Sequence, residues 1–248
     1  MKLGFVSAIY ADLSLEQVFQ EASQIGYECV EVLCWPPDSH DRKYGGVCHI
    51  DCTDFSQTQA DDVRGLAEKY GVEISALGYY SIPLSADREQ AETAQQHLRR
   101  VIDATALLGL TTTNSFIGAN HTLSLEENLK QFGKVWPDIV KYAEDQNIRI
   151  GIENCPMLYD NTWPSGLNLA TTPDIWRRMF ETIPSDHFGL NYDPSHLRML
   201  LMDPIEPIFE FGPRIFHAHA KDMRIDQKRL NDLGSLVPPM QRSTAKIP

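Results

Sequence analysis

Seven short runs, at residues 3–9, 29–33, 72–77, 110–116, 148–153, 188–192 and 215–220, are five to seven residues long and mostly apolar, with the run at 110–116 rich in Thr. Continuous runs of this length, without strict alternation, predict strands buried on both faces. Between them the spacing of apolar positions becomes helical. Ser14 reads as an N-cap with Gln17 three positions on, Val18, Phe19, Ala22 and Ile25 form an apolar stripe, and Gly26 stops the helix. Further helices are expected at 57–70, 86–108 and 125–146, the first two closed by Gly71 and Gly109 and the third carrying Pro137 as a kink or break. Thr172 and Pro173 open a helix at 173–181, and short helical pieces are expected at 197–201 and 204–211.

Strands that alternate regularly with helices imply parallel pairing and right-handed crossovers. Two architectures satisfy that: an open doubly wound sheet and a closed (β/α)8 barrel. No G-x-G-x-x-G follows the first strand, which removes the main support for a dinucleotide-binding sheet. Repeats of roughly 35 residues nearly fill the TIM-barrel template. The expectation is therefore a TIM (β/α)8-type barrel with seven recognisable strands, lacking its last βα unit. Residues 223–248 read as polar and loop-like, with Gly234, Pro238 and Pro239. Either the chain is C-terminally truncated or another chain closes the barrel. No linker, charge block or low-complexity stretch divides residues 1–248, so a single domain is expected. The loop holding Pro36, Pro37, Gly45 and Gly46 is long enough to expect a functional role.

Composition narrows the function classes. A hydrophobic fraction of 42% and a charged fraction of 23% are those of a soluble globular protein. The formal net charge of −12 disfavours a nucleic-acid surface and docking on anionic lipid. No apolar run approaches the roughly 20 residues that span a bilayer. The N-terminus is too short and mixed for a signal peptide and reads directly as a strand. The five cysteines, Cys29, Cys34, Cys48, Cys52 and Cys155, are odd in number and form no C-x-x-C pair, which points to a reducing cytoplasm.

In a TIM barrel the chemistry sits where strands run into the loops that follow them. The fifth strand ends in Ile152-Glu153-Asn154; a carboxylate after apolar barrel positions needs an ion pair or a metal. The sixth ends in Asp193-Pro194-Ser195-His196, whose Asp and His can converge on one cation, although Asp193 alone reads as a helix N-cap. The seventh carries His217, His219 and Lys221, which alternation puts on one face. The second carries Glu31 and leads to Trp35; Glu31 reads either as a substrate contact or, the favoured reading, as a structural ion pair. Glu153, Asp193 and His219 together form a mixed oxygen and nitrogen set suited to Mn²⁺, Mg²⁺, Co²⁺ or Zn²⁺. Cys48, His49 and Cys52 lack a partner pair elsewhere and read as an ordinary loop rather than a zinc site.

At Ile152-Glu153-Asn154, the D-x-x-H of Asp193 and His196, and the H-x-K-D of His219, Lys221 and Asp222, the chain resembles the xylose-isomerase-like TIM-barrel superfamily. The resemblance implies one divalent metal held by Glu153, Asp193 and His219, with Glu153 doubling as an acid/base group. It implies a substrate contact from His196, or a second metal there as in the DNA-repair branch, and places Arg224 near a substrate-contacting Arg. Lys221, Glu31 and Trp35 are further substrate-contact candidates read from their places at the strand ends. The resemblance also implies a fourth ligand, a Glu on an eighth strand, for which this sequence has no candidate. The third and fourth strand ends, at Tyr79-Tyr80 and Asn114-Ser115, lack the histidines of the DNA-repair branch, and His121 stands several residues further on.

The expected activity is isomerisation or epimerisation of a sugar or sugar phosphate by proton transfer through an enediolate. A dehydratase of the inosose type, and an inactive metal- or sugar-binding subunit, are the alternatives. Tyr79, Tyr80, Trp35 and Trp163 are candidates for an apolar wall against the substrate. A homo-oligomer is possible for a barrel with an open edge.

Overall fold

The structure is a computed structural model that describes residues 1–37, 46–157 and 166–235. Trp163 lies outside the described residues, as do Gly45, Pro238 and Pro239. Strands β1 (Gly4–Val6), β2 (Cys29–Leu33), β3 (Glu73–Tyr79), β4 (Thr112–Ser115), β5 (Arg149–Glu153), β6 (Phe188–Tyr192) and β7 (Ile215–Ala218) pair in sequence order. Every pairing is parallel. The connections carry α1 (Leu15–Ile25), α2 (Gln57–Tyr70), α3 (Arg88–Leu107), α4 (Leu125–Glu144) and α5 (Pro173–Thr182), then α6 (Pro194–Met199) and α7 (Glu206–Phe211) before β7. Among the described residues, no helix is long and apolar enough to cross a membrane.

The helix boundaries follow local chemistry. Ser14, Ser56 and Ser124 each close a capping box with a Gln or Glu at N3, and Gly26 and Gly71 end their helices in the left-handed conformation. Pro137 lies inside α4 without breaking it. Its neighbours Phe132, Trp136, Ile139 and Val140 are buried against the sheet, and that burial holds the helix through the proline.

Two expectations are corrected. The first strand is shorter than predicted, because the chain turns into a 3-10 helix at Ser7–Tyr10. Ser7 is fully buried there, and its hydroxyl accepts from the Leu33 amide (2.9 Å) and meets His49 Nδ1 (2.9 Å). The stretch after residue 223 is not all loop: α8 (Gln227–Leu233) forms behind Asp226, whose side chain accepts from the Arg229 amide. Its mostly polar sequence gives no apolar periodicity to read.

Contacts across the sheet fix its curvature. In a flat sheet β2 and β7 would stand five strand spacings apart, about 24 Å at ~4.8 Å each. Here His219, just past β7, lies 2.6 Å from Glu31 of β2, and His217 of β7 lies 3.1 Å from Ser75 of β3. The seven strands therefore curl into a TIM-type barrel wall. Val30, Val32, Leu77, Ile150, Ile152 and Leu190 pack outward with the helices in the main core.

Candidate metal centre

The ends of β5 and β6 are tied together by one reciprocal pair. Asn154 Nδ2 donates to the Asp193 carbonyl (2.9 Å), and the Asp193 amide donates to Asn154 Oδ1 (2.8 Å). Asn168 Nδ2 donates to the carbonyls of Glu153 (2.9 Å) and Cys155 (2.8 Å). These bonds set Glu153 and Asp193 beside each other at the mouth of the barrel, both buried.

Asp193 does two things with its two oxygens. Oδ1 accepts from the Ser195 amide (2.8 Å) and hydroxyl (2.6 Å), which makes the residue the N-cap of α6. Oδ2 is buried and is paired with Lys221 Nζ (2.6 Å), with His196 Nε2 3.2 Å away. The capping reading of the sequence therefore holds on Oδ1, and Oδ2 is the atom left to the ligand reading. Glu153, Asp193 and His219 each present one donor atom, and these atoms all lie within 4.8 Å of one another. Two carboxylate oxygens and one imidazole nitrogen are a donor set that fits a divalent cation.

The cluster is strongly polarised. Glu153 Oε1 lies 3.1 Å from His219 Nδ1 and 3.4 Å from His196 Nε2. Burial alone would raise the Glu153 pKa, but hydrogen bonds from His196 and His219 hold it well below the carboxylate range. Burial works against protonation of His196, yet Cys155, Glu153 and Asp193 push its pKa up to about 9. His219 is likewise raised well above its ordinary value, against burial, by Glu31 and Glu153. Lys221 is raised by Asp193, again against burial.

The other residues singled out from the sequence divide. His196 and Lys221, expected at the substrate, both sit against Asp193, with Lys221 Nζ 3.1 Å from His196 Nε2. Glu31 is buried, with Oε2 2.6 Å from His219 Nε2. Tyr80, expected as an apolar wall, instead donates its hydroxyl to Glu31 and accepts from Asn191 Nδ2 (2.9 Å). Burial, then Glu31, push its pKa well above the tyrosine range. Trp35 is half-buried, edge-on to Tyr79 with ring centroids 5.1 Å apart, and its buried indole N–H has no partner among the described residues. Arg224 is exposed and makes no ion pair among the described residues. Residues 48–52 enter neither ligand group found among the described residues, and His49 is occupied by Ser7 and the Leu13 carbonyl (3.1 Å).

Asn114, Asn191, Ser75 and Cys155 escaped the sequence reading. A signal was present for two of them. Asn191 stands two positions before Asp193, near the end of β6, and Asn114 is an amide inside a strand.

Known proteins share this arrangement of strands. A sequence model described as xylose isomerase-like TIM barrel matches residues 19–240. The chain belongs to the xylose isomerase-like TIM-barrel family. A relative from Bacillus subtilis (strain 168), the uncharacterized protein YfiH, is 25% identical over 252 residues, covering 92% of this chain and 74% of its own. The crystal structure of a D-tagatose 3-epimerase-like protein matches with a TM-score of 0.68 at 21% identity, over 90% of this chain and 76% of that one. The IOLI protein with a bound zinc atom matches with a TM-score of 0.65 at 18% identity, over 88% of this chain and 72% of that one. At these identities the two structures establish the shared barrel fold.

Proposed function

We propose that this chain is a divalent-metal-dependent isomerase or epimerase of a sugar or sugar phosphate, with Glu153, Asp193 and His219 holding one cation. The observation that carries this reading is a convergence: Glu153, Asp193 and His219 each present one donor atom, and these lie within 4.8 Å of one another at the strand ends. In the metal-free chain Lys221 Nζ, 2.6 Å from Asp193 Oδ2, neutralises that carboxylate, and a divalent cation would take over that role. The zinc in the structurally similar IOLI protein and the epimerase-like neighbour support the same reading.

A cation of the Mn²⁺, Mg²⁺, Co²⁺ or Zn²⁺ class would supply Lewis-acid polarisation of a substrate carbonyl and its neighbouring hydroxyl. Three protein donors leave coordination positions free for substrate or water. Glu153 is the group assigned to take the proton from the carbon beside the carbonyl. His196 and Lys221 flank the site and hold substrate oxygens. Trp35 and the exposed Arg224 are assigned as further substrate contacts, Arg224 for an anionic group such as a phosphate.

The test is solvent exchange. Metal-loaded chain is incubated with a panel of ketoses and ketose phosphates in D₂O, and the products are read by NMR. Deuterium at the carbon next to the carbonyl, together with isomerised or epimerised product, is expected for at least one substrate and is lost in Glu153→Gln. An enone or dione formed with loss of water would assign a dehydratase instead. Ligand binding without exchange would leave a non-catalytic sugar-binding subunit.

A further inference from the structure

Beneath the metal cluster lies a layer of polar side chains where a barrel interior is ordinarily filled by Val, Ile and Leu. Glu31 of β2, Ser75 of β3, Asn114 of β4, and Asn191 and His217 of β6 and β7 meet there, with Tyr80 closing one side. The strands are shaped to admit it. A Cβ at Gly78 would stand 2.7 Å from Glu31 Oε1, and one at Gly151 would overlap Asn114 Oδ1. Glycine at these two positions leaves the room that the buried Glu31 and Asn114 occupy.

The layer converges on one bond. Glu31 Oε1 accepts from the Tyr80 hydroxyl and from Asn114 Nδ2 (3.2 Å). Its other oxygen, Oε2, lies 2.6 Å from His219 Nε2, with Asn191 Nδ2 also 3.1 Å from that nitrogen. An ionised carboxylate only accepts, so the proton of this bond sits on Nε2. The opposite nitrogen, Nδ1, points at Glu153 Oε1, 3.1 Å away. A histidine that donates one N–H to a fixed carboxylate presents the other nitrogen, with its lone pair, to a cation.

We propose that Glu31 is a positioning residue that fixes the orientation and tautomer of His219, so that Nδ1 faces the cation held with Glu153 and Asp193. The inference rests on the metal-binding reading above. It assigns Glu31 to the ligand rather than to the substrate, since both its oxygens are engaged inside the barrel. The same atoms also outline a second cluster, Glu31, His217 and His219, with donor atoms within 4.8 Å of one another. His217 argues against a second cation there. Its Nδ1 donates to Asn191 Oδ1 (3.0 Å), its Nε2 accepts from Ser75 Oγ (3.1 Å), and it stands 3.9 Å from Glu31 Oε2.

Glu31→Gln tests the assignment. The substituted amide keeps the shape but presents one N–H₂ to a network already supplied with donors, either at Tyr80 and Asn114 or at His219. Mn²⁺ is titrated calorimetrically into metal-stripped wild type, Glu31→Gln and Tyr80→Phe, and the imidazole nitrogens of the Zn²⁺-loaded proteins are followed by long-range ¹⁵N–¹H NMR. Wild type is expected to bind one Mn²⁺ and to show His219 protonated on Nε2. Glu31→Gln is expected to bind 10–100-fold more weakly, the range for loss of a group that orients a metal ligand. Tyr80→Phe is expected to bind a few-fold more weakly, and it carries the test if Glu31→Gln does not fold.

Variants that melt at lower temperature yet match wild type in Mn²⁺ affinity and in the His219 signals would reduce Glu31 to a structural role and overturn the proposal. Two Mn²⁺ per wild-type chain, falling to one in Glu31→Gln, would overturn it in favour of a second cation at Glu31, His217 and His219. A wild type that binds no Mn²⁺ sinks the metal reading itself, and is thereby distinguished from a failure of Glu31 alone.

Discussion

Asp193 joins folding to chemistry in one side chain. Oδ1 caps α6 through Ser195, and Oδ2 faces the cluster. Asparagine caps helices about as well as aspartate, whereas alanine does not. Asp193→Asn should therefore melt closer to wild type than Asp193→Ala, by roughly 1 kcal/mol of stability. Both variants should fail to bind Mn²⁺. Equal melting of the two would mean that the cap contributes nothing.

The histidines make the cluster sensitive to pH. His196 is raised from 6.5 to about 9, so its stabilisation of the folded metal-free chain is complete below its unfolded pKa of about 6.5 and is lost as pH rises through about 9. Glu153 has the opposite sign: held below the carboxylate range, it stabilises above an unfolded pKa of about 4.5 and loses that contribution in acid. The melting temperature of chelator-treated protein should thus fall between pH 6.5 and 9.5. Mn²⁺ affinity should climb over the same interval, because the cation competes with protons on His219. A metal affinity that does not change from pH 6.5 to 9 would contradict this coupling. Glu153, Asp193, His196 and His219 were legible in the sequence because carboxylates and imidazoles are conspicuous at the ends of apolar strands. The division of labour between the two Asp193 oxygens was not, since it depends on which neighbour reaches which atom.

At the scale of elements, the helices were the easiest to read. Ser14, Ser56, Ser124 and Thr172 cap the helices that follow them, and β2, α2 and β6 have the predicted bounds. Local rules suffice where cap and stripe agree. They failed where long-range contacts decide, as at Ser7, which leaves β1 to bond Leu33 and His49. They failed also at α8, where no apolar stripe exists. The elements are held by large buried rings: Phe132 and Trp136 of α4 stack 6.4 Å apart against Phe188 of β6. Trp136 is fully buried, and its indole donates to the Ile117 carbonyl (3.2 Å). Trp136→Ala should cost about 3–5 kcal/mol in urea denaturation, the range for a large aromatic removed from a packed core. Ser124→Ala, which opens one capping box, should cost about 1 kcal/mol. A Trp136 cost no larger than that of Ser124 would place the α4 packing outside the core.

The whole molecule gathers what the sequence scatters. Strand count and parallel order followed from the alternation of patterns, and the barrel class from that together with the missing G-x-G-x-x-G and the repeat length. The curl of the sheet did not, because it is visible only when β7 side chains meet those of β2 and β3. That closure is also what turns Glu153, Asp193 and His219, from three successive strand ends, into one set of donors, and what lays Glu31 beneath them. Calorimetric titration of Mn²⁺ into the metal-stripped chain, beside Glu153→Gln, tests this convergence directly. One Mn²⁺ per chain in the wild type, with binding abolished in the variant, is the expected result. No binding to either protein, or equal binding to both, would contradict a metal site built from these three residues.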